Sequence, residues 1–335
     1  MKNFSQSINA ERTFKKTGIA IQFHIEQASI QCKTSQKSAV WEDVFVTFAT
    51  NDRTCGDPVL VNDWHIIADL TALPQGRTRT ARLLGVDLAA KKSETGHAVT
   101  RLDTKEPVMA TERFGFLWAC LGTPEREIVA IPEADEADRH VVSGGSIGVR
   151  VSGLRAVENF LDMGHFPFVH TGWLGEEPHT EVQPYKVQLT EGDEVLATEC
   201  RFFQPAASPT ASGGMMVDYV YKVVRPYTVA LYKSNPIQTD RLDVIYLFVQ
   251  PVDEENCVAH PLLCYLKDGI DAAGVRAFMQ LIFGQDKPIL ENQYPKRLPL
   301  DPRAETPIRA DAVSVYYRRW LRDHNVRYGA IPALH

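Results

Sequence analysis

The chain has 335 residues, 44% of them apolar, with 36 Lys and Arg set against 42 Asp and Glu for a formal net charge of −6. This is enough for one large core or two modest ones. The acidic balance, with no Lys/Arg stripe and no aromatic-basic interleaving, excludes a nucleic-acid partner and favours a soluble enzyme acting on a small molecule.

No apolar stretch has the length of a membrane span, and the N-terminus lacks the apolar core of a signal peptide, so a cytoplasmic protein is expected. Residues 1–58 mix polar stretches with a small apolar patch at 44–48 and predict a poorly ordered extension. A polar hairpin is expected over about 91–107, turning at Thr95 and Gly96. Between 130 and 151, Glu133, Asp135, Glu136 and Asp138 read as a solvated loop. The run Ser143-Gly144-Gly145-Ser146 reads as a turn, because no strand-to-helix context makes it a phosphate cradle.

The stretch 158–170 gathers the metal-capable side chains. Leu154, Val157 and Leu161 recur at helical intervals and place Asn159, Asp162 and His165 on a neighbouring sector of the same helix, one turn apart. Pro167 is expected to stop that helix. A break between His165 and His170 can swing both imidazoles toward one point, as an iron site of two histidines and one carboxylate requires. Either histidine alone would be an ordinary side chain. Together with Asp162, among Phe160, Phe166, Pro167 and Phe168, they need polar partners or a metal. The loop 171–179 would lie over such a site, and His179 in it reads as a surface residue.

Strand signals dominate from about 182 to 266. Residues 187–189 and 195–203 flank the turn Glu191-Gly192-Asp193, 217–223 alternate, and 244–249 and 261–266 are continuously apolar, which together predict a curved antiparallel sheet. Helical periodicity returns at Val275, Phe278, Met279, Ile282 and Phe283, and the same face continues to Asp286. A carboxylate on a core face costs several kcal/mol unless it is paired or metal-bound. Pro288 would perturb the turn around it and help aim it. A last amphipathic helix is expected, capped by Asp311, with Val313, Tyr316, Tyr317, Trp320 and Leu321 on one face. Cys32, Cys55, Cys120, Cys200, Cys257 and Cys264 stand apart and read as isolated reduced thiols.

The pattern Asn159-x-x-Asp162-x-x-His165-x-x-x-x-His170 resembles the catalytic signature of the large subunits of Rieske-type non-haem iron oxygenases. The resemblance implies that His165 and His170 bind iron, that Asp162 bridges one of them to an electron-delivering cluster, and that Asn159 sits near the metal without a settled role. The segment around Asp286-Lys287-Pro288 resembles the one carrying the third iron ligand in O- and N-demethylating members. Residues 61–68, 81–88 and 113–122 resemble strands of the Rieske domain. A Rieske cluster, however, takes its ligands from Cys-x-His and Cys-x-x-His pairs. This chain has no Cys-x-His pair to complete such a set, so His65 and His97 read as ordinary side chains.

Retention of the catalytic half without the cluster resembles the N7-demethylating branch of bacterial methylxanthine (caffeine) degradation, as does the text of residues 314–321. The expected fold is therefore α+β: an extension over 1–58, a residual cluster-less Rieske-like β domain over 59–130, and a helix-grip catalytic domain over 131–335. The expected activity is oxidative N-demethylation of a small heteroaromatic such as 7-methylxanthine at mononuclear Fe(II), ligated by His165, His170 and Asp286 with Asp162 and Asn159 beside it. The resemblance implies O2 as co-substrate, and NAD(P)H, flavin and a [2Fe-2S] cluster supplied by a partner reductase. An accessory structural subunit and an oligomeric state complete the expectation. The alternatives are a non-catalytic subunit of a hetero-oligomeric oxygenase, a helix-grip binding protein without redox chemistry, and an O-demethylase or hydroxylase of another small aromatic.

Overall fold

The computed structural model describes residues 53–73, 76–93, 96–206, 213–235, 238–267 and 271–333. The patch at 44–48, Cys32, most of the expected extension and Thr95 of the expected hairpin turn lie outside them. Residues 53–58, the last of that stretch, are pinned. The Cys55 amide donates to Leu84 O at 3.0 Å, and the Asp57 carboxylate accepts from the Arg327 and Tyr328 amides at 2.7 Å each.

A short helix α1 (Pro58–Val61) opens the ordered part, so the strand expected from residue 61 begins only at His65. Pro58 presets the first helical turn, which an extended segment could not share. Six strands follow: β1 (His65–Asp69), β2 (Thr78–Leu83), β3 (Val86–Ser93), β4 (Gly96–Arg101), β5 (Pro107–Arg113) and β6 (Phe116–Cys120). They form one antiparallel sheet in the order β1-β6-β5-β4-β3-β2. Tight turns at Leu84-Gly85 (φ 52° and 83°) and Phe114-Gly115 (φ 53° and 80°) join their hairpins, with two consecutive positive φ values matching the strand twist. The second of these splits the expected strand 113–122 between β5 and β6.

The second sheet contains β7 (Arg139–Ser143), β8 (Ile147–Val149), β9 (Lys186–Leu189), β10 (Val195–Gln204), β11 (Met215–Arg225), β12 (Thr228–Ser234), β13 (Leu242–Pro251) and β14 (Cys257–Leu266). It is antiparallel in the order β7-β14-β13-β12-β11-β10-β9, with β8 also paired to β14. The continuously apolar run of β13 has a simple cause, because both faces of the strand are covered. Val244, Tyr246 and Phe248 turn toward the first sheet, where Ile66, Phe116 and Trp118 meet them. The Trp118 and Phe248 rings lie 5.0 Å apart, edge to face. Leu247 and Val249 turn the other way, into the core shared with the helices. β12 had no reading in the sequence, and its Thr, Lys and Ser masked a strand that is nearly all buried.

Four helices complete the fold: α2 (Gly153–Leu161), α3 (Phe166–Val169), α4 (Ala272–Asn292) and α5 (Ala312–Asp323). The architecture is α+β, a curved antiparallel sheet gripped by helices behind a smaller β sheet. Among the described residues no helix is long and apolar enough to cross a membrane. Of the cysteines described, four are buried, Cys55 is half-buried and all are free thiols.

Candidate metal centre

Ser152 caps α2, its hydroxyl accepting the Leu154 amide at 3.3 Å and donating to Gly329 O at 2.7 Å. Gly153 lets the helix sit tight on the sheet, since a Cβ there would fall 2.8 Å from the Tyr227 ring and 2.9 Å from Val249. The helix ends at Leu161. It does not run on to His165 as the periodicity suggested, because the Asp162 side chain accepts the Gly164 amide at 2.7 Å and turns the chain out of the helix.

Pro167 likewise does not stop a helix. It occupies the second position of α3, where a missing N–H costs nothing. His165 and His170 are the two caps of this single turn, and the Val169 and His170 amides close it onto His165 O and Phe166 O at 2.8 and 3.0 Å. Both imidazoles therefore leave one short, well-bonded element. The loop after it is seated by Gly175, whose missing Cβ would stand 2.7 Å from Pro167 N.

The third group arrives from 116 residues further along, on α4. Asp286 is 7% exposed on the buried face shared by Val275, Ile282, Phe283 and Leu290. Pro288 lies inside α4, yet the helix continues to Asn292. Its cost is local, because the carbonyl left without a helical donor belongs to exposed Gly284.

His165 Nε2 and His170 Nε2 stand 3.1 Å apart. Asp286 Oδ1 is 3.3 Å from the first and 3.1 Å from the second. The other ring nitrogens are engaged: His165 Nδ1 donates to Asp162 Oδ2 at 3.0 Å, and His170 Nδ1 donates to Gln285 Oε1 at 2.9 Å. Since both acceptors are oxygens, hydrogens sit on both Nδ1 atoms, and both Nε2 atoms face Asp286 Oδ1. Three buried lone pairs aimed at one point repel unless a cation or a proton lies among them. The donor set, two imidazoles and a carboxylate on one side, fits a ferrous ion with open positions opposite.

Burial alone would push the His165 ring toward neutrality, but the carboxylates of Asp162 and Asp286 outweigh it and raise its pKa to about 9. Burial works against the Asp286 carboxylate too, and the two histidines beside it nonetheless hold it down at about 2.

One side of the centre opens on an apolar cavity, partly in contact with solvent, walled by Phe160, Phe166, Leu247, Ile282 and Phe283. The other side opens on a wider groove that contains Asp162, Glu158 and Glu305. Asn159 and His165 border both. Asp162 keeps about a third of its side chain exposed toward this groove.

Sequence reasoning missed Gln285, whose only signal was its place next to Asp286. It also missed a buried charged quartet beneath the groove. Arg318 bonds both oxygens of Glu158 at 2.6 and 2.9 Å. Arg155, 1% exposed, bonds Glu158 at 3.1 Å and Glu305 at 2.7 Å, and Arg318 closes the ring to Glu305. Two cations and two anions neutralise each other and tie α2 to α5, so α5 is not held by its apolar face alone. Asp311 stands at the start of α5, but its carboxylate accepts the Ile308 amide at 2.8 Å instead of capping the helix. His179 is exposed and stacks on Phe203, with ring centroids 4.3 Å apart.

Residues 149–324 match the family of the vanillate O-demethylase oxygenase C-terminal domain. The probable methylxanthine N7-demethylase NdmC of Pseudomonas sp. (strain TJI-51) is 48% identical over 271 residues, 81% of this chain and 96% of that protein. The chain belongs to the Rieske-type oxygenases. Within this family it is also similar to the methylxanthine N1-demethylase NdmA of Pseudomonas putida, 28% identical over 63% of this chain and 59% of that one. The structure of Pseudomonas putida CBB5 NdmA superposes with a TM-score of 0.63 at 21% identity, over 79% of this chain and 90% of that one. The protein is thus an oxygenase enzyme, related to N-demethylases that work with a separate reductase.

Proposed function

We propose that this chain is the catalytic subunit for oxidative removal of a methyl group from a ring nitrogen of a small heteroaromatic, with 7-methylxanthine as the substrate suggested by the relative of 48% identity. The observation that carries this reading is the convergence of His165, His170 and Asp286 on one point at the end of an apolar cavity. These three residues would hold Fe(II), which supplies the activation of O2. The cavity wall of Phe160, Phe166, Ile282 and Phe283 keeps water away and holds a flat ring with its methyl toward the metal ligands. Overall, the N-methyl compound, O2, two electrons and two protons give an N-hydroxymethyl compound and water. The N-hydroxymethyl product then loses formaldehyde and leaves a ring N–H.

The two electrons come from outside, because the chain has no Cys-x-His pair to complete the ligand set of a Rieske cluster. We infer that a reductase bearing NAD(P)H-linked flavin and a [2Fe-2S] Rieske domain docks in the groove at Asp162. Asp162 passes its charge through the bond to His165, and its exposed edge is free for a cluster ligand of the partner. Residues 59–130 would then be a Rieske-like β domain kept without its cluster, and 131–335 the catalytic domain, in a cytoplasmic hetero-oligomer.

The test is to purify the protein without oxygen, measure iron and acid-labile sulfide, and follow formaldehyde release from 7-methylxanthine with a Rieske-bearing reductase. One iron per chain, no sulfide and stoichiometric formaldehyde are expected. Stoichiometric sulfide, or iron-loaded protein that releases no formaldehyde, overturns the reading. The family match to an O-demethylase domain favours one second reading, demethylation of an aromatic methyl ether, so vanillate belongs in the same assay.

A further inference from the structure

The lining of the apolar cavity includes two polar side chains that packing does not explain. Gln204 at the end of β10 and Tyr221 on β11 border it, and each is 1% exposed. Gln204 Nε2 donates to the hydroxyl of Tyr219, its neighbour in the same cavity wall. With the amide in this orientation, Gln204 Oε1 is a buried acceptor with no partner among the described residues. The Tyr221 hydroxyl is also buried without a partner there, while its ring packs edge to face on Phe160, with centroids 6.2 Å apart. An unpaired buried polar atom loses its hydration and gains no bond in return. Leu at 204 and Phe at 221 would fill the same space without that cost. Two such atoms bordering one cavity need an explanation that the folded chain alone does not supply.

Their chemistry defines the missing partner. Gln204 Oε1 can only accept, so it calls for an N–H. Tyr221 Oη can donate, so it suits a carbonyl. A flat ring whose methyl points to His165, His170 and Asp286 and whose opposite edge carries N–H beside C=O would satisfy both atoms. We propose that Gln204 and Tyr221 read this lactam or imide edge, and so restrict the site to N-methylated heteroaromatics that keep a free ring N–H. This rests on the N-demethylase reading above and deepens it. A ring methylated at every such nitrogen would leave Gln204 Oε1 unpaired beside a methyl group, and sites of this kind discriminate strongly against a missing donor.

The experiment measures binding of 7-methylxanthine and of caffeine, which has no ring N–H, to iron-loaded full-length protein, together with formaldehyde release and the melting temperature. Wild type should prefer 7-methylxanthine at least tenfold. Tyr221→Phe should lower the affinity for both compounds about tenfold, since both keep the ring carbonyl, and leave the melting temperature equal or higher. Gln204→Leu should lose about 10–100-fold and bring the preference close to one. If Gln204→Leu does not fold, Tyr221→Phe decides alone, since a hydroxyl without a protein partner has no structural contact to lose. Equal affinities in wild type, a Tyr221→Phe variant that binds 7-methylxanthine as tightly as wild type, or a Gln204→Leu variant that keeps the preference while still demethylating, overturn this inference and leave the N-demethylase reading intact. Iron-loaded wild type that neither binds nor demethylates either compound overturns both.

Discussion

The six-stranded sheet β1–β6 and the larger sheet β7–β14 are both antiparallel and both buried on the face they share, yet they hold different things. In the first sheet the residues that persist are those the second sheet needs. Ile66, Phe116 and Trp118 fill the interface with Val244, Tyr246 and Phe248. Leu84 and Gly85 donate to Pro251 O and Val252 O at 2.7 and 3.0 Å. Its histidines serve the chain itself: buried His65 bonds Leu60 O through Nε2 at 2.8 Å, and His97 pairs with Glu112. In the second sheet and its helices, the distinctive groups are ones that packing would reject: convergent lone pairs, a buried carboxylate and two unpartnered polar atoms. The Asp286 carboxylate lies inside the core, where it costs stability unless it is paired or holds a metal.

The two regions should accordingly fail in different ways. The largest effect is expected at the centre: His170→Ala or Asp286→Ala should remove iron and abolish demethylation while the far-ultraviolet circular dichroism stays native. Either variant with full iron and turnover would remove it from the ligand set. Next, Trp118→Ala should cost about 3–5 kcal/mol in chemical denaturation, through the lost ring contact with Phe248 and the lost bond from Trp118 Nε1 to Arg113 O at 3.0 Å. It should retain one iron per folded chain in the cold, and loss of iron from the folded variant would erase the contrast between the regions.

Two groups that hold the histidines come next. Gln285→Leu should weaken metal affinity about 10–100-fold, because the His170 ring loses the acceptor that orients it. An unchanged metal titration would show that the ring needs no such support. Asp162→Asn should slow reductase-driven demethylation more than a peroxide-driven reaction that bypasses electron transfer. Equal slowing would confine Asp162 to the iron site and remove the docking groove from the account.

The smallest effect is on pH. His165 in metal-free protein holds its proton up to about pH 9, and a metal must displace it. The ion pair with Asp162 and Asp286 stabilises the metal-free fold below the unfolded histidine pKa and is lost as pH rises through about 9. Metal uptake has the opposite sign: apparent affinity should fall about tenfold for each pH unit below 9, with one proton released per metal. A flat affinity between pH 6.5 and 8.5 would mean that no such proton is held.

Local patterns were enough to single out the residues that converge at the candidate centre. Asn159, Asp162, His165 and His170 lie within twelve residues, and Asp286 declared itself as a carboxylate on an otherwise apolar helical face, a contradiction visible without coordinates. The strands of β13 and β14 were readable for a similar reason, since a strand buried on both faces is a continuous apolar run. The absence of cluster ligands is likewise a property of spacing along the chain. What needed the tertiary structure was anything set by contacts between distant segments. The helix through Asp162 ends early because one side chain captures one amide, and Pro167 begins a turn where it seemed to end one. Buried charges on α2 and α5 are tolerable only because Glu305, about 150 residues from Arg155, completes the quartet. Gln285 has a role only once α4 lies beside His170. Gln204 and Tyr221 are unremarkable in a β sequence, and only the folded sheet, by burying them against one cavity without partners, makes them a binding edge.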